Sequence, residues 1–369
     1  MFSPESITAL AESVAAGKPL SGPLDLQLLP TPRCNAACVF CPLVAIPEPQ
    51  SLRTPRFFTY KEDLSGGLLD RLADDLYYLG GLRRVTITGG EPLLYSHLVP
   101  AVFQLSRGFP RVEMTVVTNG IRLQRFARFF VDAGLHNLSV SLNAGRPETY
   151  RAQNRTADAD TFAAIEAGIA AVAQERKKRG AALPRLSLSV VLTAASAGDV
   201  PALFELARRH GVEAVTFIPL MEILLDGGAV NRELTISAED FPRFLAAIDD
   251  YGGRARAEGF YLGYGGSADD RGTIDNRGAF SRQPCYAGYA FAAVYPNGDV
   301  RPCCHCEPVM GNLQEESFIA IWRGERYQAF RWRMLAIAAG LDGCLCRECG
   351  YLYENREFGA RLRAREEPG

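Results

Sequence analysis

The sequence predicts an α/β fold in which a partial (β/α)6 TIM-like barrel is followed by a small cysteine-rich C-terminal auxiliary domain. Short apolar runs alternate with longer amphipathic stretches between residues 24 and 220, which is typical of parallel βαβ units. Six such units are too few for a closed eight-stranded barrel, so we expect one open side. The ten cysteines fall into two groups, within 34–41 and within 285–349, and these groups indicate two metal regions.

The elements of the barrel follow one another along the chain. Six apolar runs predict the strands LDLQLLP, RRVTITGG, VEMTVVTNG, NLSVSLN, RLSLSVVLT and AVTFIPL. Amphipathic stretches between them predict helices near 66–79, 96–107, 121–133, 160–179 and 199–210. After Pro219 the regular alternation ends.

We expect five parts in the chain, of which the barrel is the largest. They are an N-terminal helix (1–19), the barrel (20–222), a connecting region (223–280), the auxiliary domain (281–352) and a solvated C-terminal tail (353–369). The connecting region contains one predicted helix, for which Ser237 and Asp240 offer a capping pattern. The auxiliary domain is too small to form much core alone, so a metal is expected to stabilise it.

Composition bounds the kind of partner. Hydrophobic residues make up 47% of the chain, charged residues 22%, and the formal net charge is -2, which argues against nucleic acid and anionic membranes as partners. Glu5 and Glu12 interrupt what would be the apolar part of a signal peptide. We therefore expect a cytoplasmic protein that acts on a small molecule or a peptide. In that compartment clustered cysteines indicate metal sites more often than disulfides.

The first cysteine group is CNAACVFC, with Cys34, Cys38 and Cys41 directly after the first strand. Active sites of barrels are built at this carboxyl edge. Thiolates at i, i+4 and i+7 can surround a four-iron cluster, because each binds a different iron and the fourth iron stays open. A disulfide with one spare thiol, or a zinc site whose fourth ligand lies elsewhere, are the alternatives on this motif alone.

With Phe40 at the aromatic position, this loop resembles the CxxxCxΦC signature of the radical S-adenosylmethionine (SAM) superfamily. The resemblance implies a [4Fe-4S] cluster whose open iron chelates the methionine part of SAM. Reductive cleavage then yields methionine and a 5′-deoxyadenosyl radical, which removes hydrogen from a substrate. It also implies a reducing electron donor such as flavodoxin or ferredoxin. The protein itself supplies orientation and exclusion of water.

Polar motifs at the next strand ends extend the resemblance. GGEP follows the second strand, where its glycines allow close backbone approach and its carboxylate suits an ammonium group, although an ordinary turn would explain a lone GGEP equally well. TNG and SLN end the third and fourth strands and resemble positions that line the nucleoside. The implied cofactor-binding residues are Phe40, Gly89, Gly90, Glu91, Pro92, Asn119, Ser141, Asn143, Arg151 and Arg155.

Arg151 and Arg155 are alternative partners for the SAM carboxylate. The usual wording of the family at the fourth strand is SLDG, whereas this chain has SLNAG, so Asn143 replaces an aspartate. The ribose and carboxylate partners of SAM depend on how this loop is arranged.

The second cysteine group places Cys285 and Cys303 around a predicted hairpin with a YPNGD turn, and Cys346 and Cys349 in a CxxC some forty residues later. Four such thiols can fill one tetrahedral site, so a structural zinc knuckle is one interpretation. The spacing of Cys285, Gly298 and Cys303 also resembles the SPASM and Twitch extensions of radical SAM enzymes. No cysteine follows Cys349, which favours the Twitch form with one auxiliary [4Fe-4S] cluster.

Cys304, Cys306, Cys344 and His305 remain after these assignments. The three cysteines are interpreted as thiols beside a cluster or as a hydrogen-atom donor to a substrate radical. Together with His305 they are alternatively interpreted as ligands of a further metal. Among them we favour Cys306 as the donor, since a thiol S–H can supply a hydrogen atom.

For the reaction, the sequence favours dehydrogenation or epimerisation of a small-molecule biosynthetic intermediate. Only 33 residues precede Cys34, and the precursor-binding domain common in peptide-modifying relatives is not among them. Radical modification of a peptide or protein is the alternative. A non-catalytic metal or electron-transfer protein is the rival from another class, but it leaves GGEP, TNG and SLN unexplained.

Anaerobic reconstitution tests the two-cluster prediction. We expect about eight irons per chain, four for each cluster, and 5′-deoxyadenosine that forms from SAM only when a reductant is present. The Cys34→Ala variant should keep the auxiliary iron and form no deoxyadenosine. Zinc without iron, or iron without SAM cleavage, contradicts the prediction.

Overall fold

The computed structural model describes residues 2–41, 60–221, 224–225, 228–229, 231–266, 284–304, 306, 308–336 and 352–366. Within this part of the chain the centre of the fold is a ten-stranded sheet, accompanied by a separate two-stranded ribbon. The strands of the sheet are Asp25–Leu28 (β1), Arg84–Ile87 (β2), Glu113–Thr118 (β3), Asn137–Ser141 (β4), Arg185–Val191 (β5), Ala214–Ile218 (β6), Tyr261–Tyr264 (β9), Phe291–Val294 (β10), Asp299–Arg301 (β11) and Gly311–Asn312 (β12). The ribbon consists of Leu224–Leu225 (β7) and Gly228–Ala229 (β8).

The order of strands across the sheet is β12, β11, β10, β1, β2, β3, β4, β5, β6 and β9. Every neighbouring pair in the run β10, β1, β2, β3, β4, β5, β6, β9 is parallel. Within this sheet the β10–β11 and β11–β12 pairs are antiparallel. Strand β1 lies between β2 and β10, so that Asp25 is in register with Arg84 on one side and Phe291 on the other. The carboxyl ends of the parallel strands therefore meet at one edge.

The helices begin and end at recognisable signals. Ser65 accepts a hydrogen bond from the Leu68 backbone N–H and caps the first barrel helix, while Gly180 in the left-handed conformation ends the longest one. The helices are Pro4–Ala15 (α1), Gly66–Leu79 (α2), Leu98–Gly108 (α3), Leu123–Asp132 (α4), Pro147–Gln153 (α5), Thr161–Arg179 (α6), Val200–His210 (α7), Asp240–Ala257 (α8), Ala287–Ala290 (α9), Phe318–Arg323 (α10), Glu325–Leu335 (α11) and Leu352–Glu366 (α12).

The two faces of the barrel strands differ in character. One face carries Val85, Val140, Leu188, Val190 and Val215, which are 0–1% exposed and pack in the same core as the helices. Most alternate positions are polar and half-buried, as expected for side chains that point to opposite faces of a strand. The fold class predicted from the sequence is confirmed, with the six predicted strands as β1 to β6 and the five predicted helices as α2, α3, α4, α6 and α7.

The structure adds a strand that the sequence analysis did not predict. The region assigned as a connection holds the expected helix α8, where Ser237 Oγ accepts from the Asp240 backbone N–H at 3.0 Å, and then β9. Strand β9 pairs in parallel with β6, from Ala214 with Tyr261 to Phe217 with Tyr264. The parallel sheet thus extends beyond the sixth unit, while the domain boundaries at 222 and 280 stay predictions.

Two short helices, α10 and α11, follow β12, and they are separate because the chain turns to an extended conformation at Gly324. A Cβ at Gly324 would lie 2.8 Å from the Ala320 carbonyl oxygen, so the sharp turn requires glycine. The predicted solvated tail contains helix α12, in which Phe358 is 1% exposed and Leu362 is 9% exposed.

The predicted hairpin is present as β10 and β11. Its turn closes with the Gly298 N–H donating to the Tyr295 carbonyl at 2.9 Å, and the Tyr295 N–H donating to the Asp299 carbonyl at 2.9 Å. Gly298 has a φ of +87°, a conformation that glycine adopts without strain. None of the described helices is long and apolar enough to cross a bilayer.

Helix α12 gives a prediction about stability. Phe358 stacks on Phe2 with ring centroids 5.4 Å apart, so Phe358→Ala leaves a cavity between the two ends of the chain. We expect a loss of about 3–5 kcal/mol in the free energy of unfolding. Urea titration followed by circular dichroism measures it, with Tyr78→Ala, at a position that is 80% exposed, as control. Equal effects of the two substitutions would show that α12 packs loosely.

Candidate active site

The first cysteine group lies on the loop that follows β1 at the carboxyl edge. Burial raises the pKa of Cys38 to about 12, and the neighbouring thiolate charges of Cys41 and Cys34 add to this effect. Cys34 is exposed as a residue, but burial of its thiol raises the pKa of Cys34 as well. The three thiols therefore lie within electrostatic reach of one another, and their thiolates require a cation to become stable.

The thiols do not converge on a single point. In the part of the chain that the structure describes, no group of three Cys, His, Asp or Glu side chains is arranged to hold one metal ion. A mononuclear zinc site needs such convergence, whereas each ligand of a four-iron cluster binds its own iron. This donor set fits the cluster implied by the sequence, held by Cys34, Cys38 and Cys41.

The GGEP turn after β2 packs directly on the cysteine loop. The Gly90 N–H donates to the Thr31 carbonyl at 2.9 Å, and the Glu91 N–H donates to the Arg33 carbonyl at 2.7 Å. Gly89 has a φ of +124°, which allows this approach. Pro92 is buried and begins a short 3₁₀ turn. The backbone of GGEP thus fixes the residues immediately before Cys34.

The Glu91 carboxylate joins three loops. It is 1% exposed; Oε1 accepts from the Leu93 N–H at 2.9 Å and the Thr118 hydroxyl at 2.6 Å, and Oε2 accepts from the Asn119 N–H at 2.7 Å. Burial raises the pKa of Glu91, and these three donors oppose that shift. Both oxygens are engaged within the protein, so the predicted contact with the SAM ammonium stays a prediction.

Asn119 connects the end of β3 to the cysteine loop. Its Nδ2 donates to Asn35 Oδ1 at 2.9 Å and approaches Cys34 Sγ at 3.7 Å, within the limit for a sulfur acceptor. Its Oδ1 accepts from the Ile121 N–H at 3.0 Å. The predicted nucleoside-binding residue therefore lies beside the predicted cluster ligand Cys34, and its contact with SAM stays a prediction.

The segment after α5 is bound to the other side of the cysteine loop. The Val39 N–H donates to the Gln153 carbonyl at 2.9 Å, and the Arg155 N–H donates to the Ala37 carbonyl at 3.0 Å. The Asn154 side chain, 2% exposed, accepts from the Ala37 N–H at 2.8 Å. Arg155 is thereby held next to the loop with its side chain exposed, whereas Arg151, also exposed, lies on α5 itself.

Arg33 anchors the start of the loop. Its guanidinium forms an ion pair with Asp63 and donates to the Leu94 carbonyl at 2.7 Å, while the Thr31 hydroxyl donates to the same carboxylate at 2.7 Å. Sequence reasoning missed Thr31, Arg33, Asp63 and Asn154. Their only sequence signal is proximity to a motif, because their partners lie in other loops.

The end of β4 is arranged differently from the expected ribose site. Asn143 has a φ of +60°, its Oδ1 accepts from the Val191 N–H at 2.9 Å and its Nδ2 donates to the Ser141 carbonyl at 3.1 Å. Its amide joins the ends of β4 and β5, so its contact with a ribose stays a prediction. The Ser141 and Ser189 hydroxyls lie 3.3 Å apart, and Phe40 is half-buried in its turn.

The second cysteine group is described in part. Cys285 and Cys303 are 8% and 7% exposed, and the Cys285 N–H donates to the Met334 carbonyl at 3.1 Å. Cys346 and Cys349, the two other predicted ligands, lie outside the described residues, as do Cys344 and His305. Two buried thiols beside a buried guanidinium, that of Arg301, fit an anionic iron–sulfur group.

Cys306 is 4% exposed, and its backbone N–H donates to the Cys303 carbonyl at 3.3 Å. Its role as a hydrogen-atom donor stays a prediction. Cys304, by contrast, is a half-buried free thiol.

Family models match both halves of this arrangement. The radical SAM superfamily model matches residues 28–178, and an iron–sulfur cluster-binding domain model, SPASM, matches residues 285–350. These ranges contain all seven cysteines that the sequence analysis assigned to clusters.

Proteins with sequences similar to this chain include GTP 3′,8-cyclases. That of Pseudomonas aeruginosa is 32% identical over 209 residues, covering 56% of each chain, and that of Heliobacterium modesticaldum is 29% identical over 291 residues, covering 76% of this chain and 80% of the other. The chain thus spans little more than half the length of the Pseudomonas relative.

Solved structures share the fold at low identity. Streptococcus suis SuiB bound to S-adenosylmethionine has a TM-score of 0.63 at 16% identity, covering 98% of this chain and 78% of that one. Native anSMEcpe with bound AdoMet has a TM-score of 0.61 at 15% identity, covering 93% and 99%. With the cysteine loop and its GGEP partner in place, the chain belongs to the radical SAM superfamily, with SAM, a SAM-binding [4Fe-4S] cluster and an auxiliary cluster in a C-terminal SPASM domain.

Proposed function

We propose that this enzyme removes a hydrogen atom from a small, neutral, hydroxyl-bearing substrate and dehydrogenates it. Bound SAM and its cluster supply the 5′-deoxyadenosyl radical when a donor such as flavodoxin or ferredoxin provides one electron. The residues of this chain hold the cofactor at the carboxyl edge and present the substrate from the inner face of the barrel. The inner face is the observation that carries the proposal.

Hydroxyl groups line the inner face of β4, β5 and β6. Helices cover the apolar face of these strands, so the alternate positions face inward: Ser139, Ser141, Ser187, Ser189 and Thr216, all half-buried. Ordinary barrels fill this space with bulky branched side chains. Small hydroxylated residues occupy less of this space and offer donors and acceptors to a polar ligand.

Charge on this inner face supports a neutral substrate. In the carboxyl halves of β4, β5 and β6 the inward positions carry no ionisable group, and the last of them are Val191 on β5 and Ile218 on β6. Arg185 lies at the opposite, amino end of β5. An anionic substrate would require paired cations in such a site. A purine nucleotide is the second candidate, because the relatives are named for GTP, which is itself a small molecule.

The choice between dehydrogenation and epimerisation depends on what meets the substrate radical. Epimerisation needs a hydrogen donor to the substrate radical, the role predicted for Cys306. Dehydrogenation needs an acceptor for one electron and release of one proton. An auxiliary cluster held by the C-terminal domain would be such an acceptor, which supports oxidation. Cys304, a free thiol, is a second candidate donor that would favour epimerisation.

A panel of deuterated compounds tests the substrate class. We expect neutral polyols, and not GTP, to stimulate deoxyadenosine formation and to transfer deuterium into it. The product should be two mass units lighter than the unlabelled substrate. Deuterium transfer from labelled GTP or from a peptide contradicts the proposal, and incorporation of solvent deuterium without a mass loss indicates epimerisation. Ser189→Ala should raise KM about tenfold through one lost hydrogen bond, while Ser106→Ala on α3 should not.

The close approach of GGEP to the cysteine loop gives a second prediction. A Cβ at Gly90 would lie 2.2 Å from the Arg33 carbonyl oxygen, so Gly90→Ala must displace the residue before Cys34. We expect deoxyadenosine formation to fall about 100-fold through misplacement of the cofactor. Gly67→Ala, where an added Cβ meets nothing within 4 Å, is the matched control and should retain the full rate. A fully active Gly90→Ala variant would show that the loop contact does not position the cofactor.

A further inference from the structure

Arg301 is a buried cation at the start of the second cysteine group. It is 1% exposed, lies on β11 two residues before Cys303, and its Nη1 donates to the Cys306 carbonyl at 3.4 Å. Nη2 donates to the Tyr60 hydroxyl at 3.0 Å, and the guanidinium lies 4.4 Å from the centre of the Tyr295 ring. Its Nε is buried without a hydrogen-bond partner among the described residues.

Among the described residues no carboxylate pairs directly with Arg301. Its hydrogen-bond partners there are a carbonyl and a phenol, and Asp299 is linked to it through Tyr60, whose hydroxyl donates to Asp299 Oδ2 at 2.8 Å. Burying a guanidinium with an unpaired N–H is unfavourable unless an anion compensates. Because Arg301 ends the strand that leads into Cys303, an anionic cluster held by that thiol is a suitable compensating group.

The turn that carries the cysteines surrounds this guanidinium. The Cys306 N–H donates to the Cys303 carbonyl at 3.3 Å, and the Tyr295 hydroxyl donates to the Cys304 carbonyl at 3.4 Å. The Arg301 guanidinium lies 4.4 Å from the centre of the Tyr295 ring, so Arg301 and the cysteine turn contact the same side chain.

We propose that Arg301 tunes the auxiliary cluster by placing a fixed positive charge and a free Nε–H beside it, which raises the reduction potential of the cluster. Adding one electron from a reductant makes the cluster more negative, and a nearby cation stabilises that form more than the oxidised one. Hydrogen bonds to cluster sulfurs and buried charges are known determinants of such potentials. The proposal does not depend on which substrate the enzyme uses.

The test is a potentiometric titration of the auxiliary cluster followed by electron paramagnetic resonance. The full-length chain carries Cys34→Ala, Cys38→Ala and Cys41→Ala, so that a single cluster gives the signal. We expect Arg301→Gln to lower the equilibrium constant for reduction by about tenfold or more, about 59 mV for one electron. Asp299→Asn removes a negative charge behind Tyr60 and should raise the potential. Opposite shifts from neighbouring residues are not expected from structural damage.

The matched control is Arg176→Gln. Arg176 lies on α6 of the barrel, outside the C-terminal region; its side chain is 15% exposed, pairs with Glu213 and donates to the Pro184 carbonyl at 2.8 Å. In this variant the equilibrium constant for reduction of the auxiliary cluster should change less than about threefold.

Three results overturn the proposal: an unchanged potential in Arg301→Gln, shifts of the same sign in Arg301→Gln and Asp299→Asn, or an equal shift in Arg176→Gln. If Arg301→Gln does not retain iron, the reduction potentials of the auxiliary cluster in Arg301→Lys and Asp299→Asn test the proposal instead. Lysine keeps the charge, so its potential should stay within about threefold of the parent, and a drop of about tenfold excludes the charge as the cause.

Discussion

The position of β1 between two parallel neighbours is the constraint on which the rest of the structure depends. Leu26 and Leu28 are 1% and 0% exposed, and every residue of the strand is in register with both β2 and β10. A half-buried Asp25–Arg84 ion pair fixes the start of the strand against β2. Because the cysteine loop follows directly on this strand, the cluster ligands leave a strand that is paired along its whole length on both sides.

The same pairing joins the two cysteine regions into one sheet. Strand β10 belongs to the C-terminal region, yet it pairs with β1 from Asp25 with Phe291 to Leu28 with Val294. The two regions are further linked by Trp322 Nε1, which donates to the Ser21 carbonyl at 2.8 Å. The small C-terminal region is thereby stabilised by its pairing with the barrel, in addition to any metal.

The sequence predicted the elements far better than the contacts between them. Strands β1 to β6 carry alternating or continuous apolar runs between capped helices, so their period identified them. Strand β9, YLGY, has four residues and a glycine, and α12 has only Phe358 and Leu362 as strongly buried apolar residues, so neither had a clear signal. The motif residues were also predicted from the sequence. Asn154 and Asp63 were not, because their hydrogen-bond partners in the cysteine loop lie 117 and 30 residues away along the chain.

Tyr60 shows how such long-range contacts connect the two cysteine regions. It lies 19 residues after Cys41 and four residues before Leu64, whose N–H donates to the Pro30 carbonyl, two residues after β1, at 2.8 Å. Its hydroxyl donates to Asp299 and accepts from Arg301, both on the hairpin of the auxiliary domain. Burial raises the pKa of Tyr60 to about 12, so it stays neutral and keeps both roles at physiological pH. The hairpin that carries an auxiliary ligand therefore also supports the chain around the SAM-binding loop.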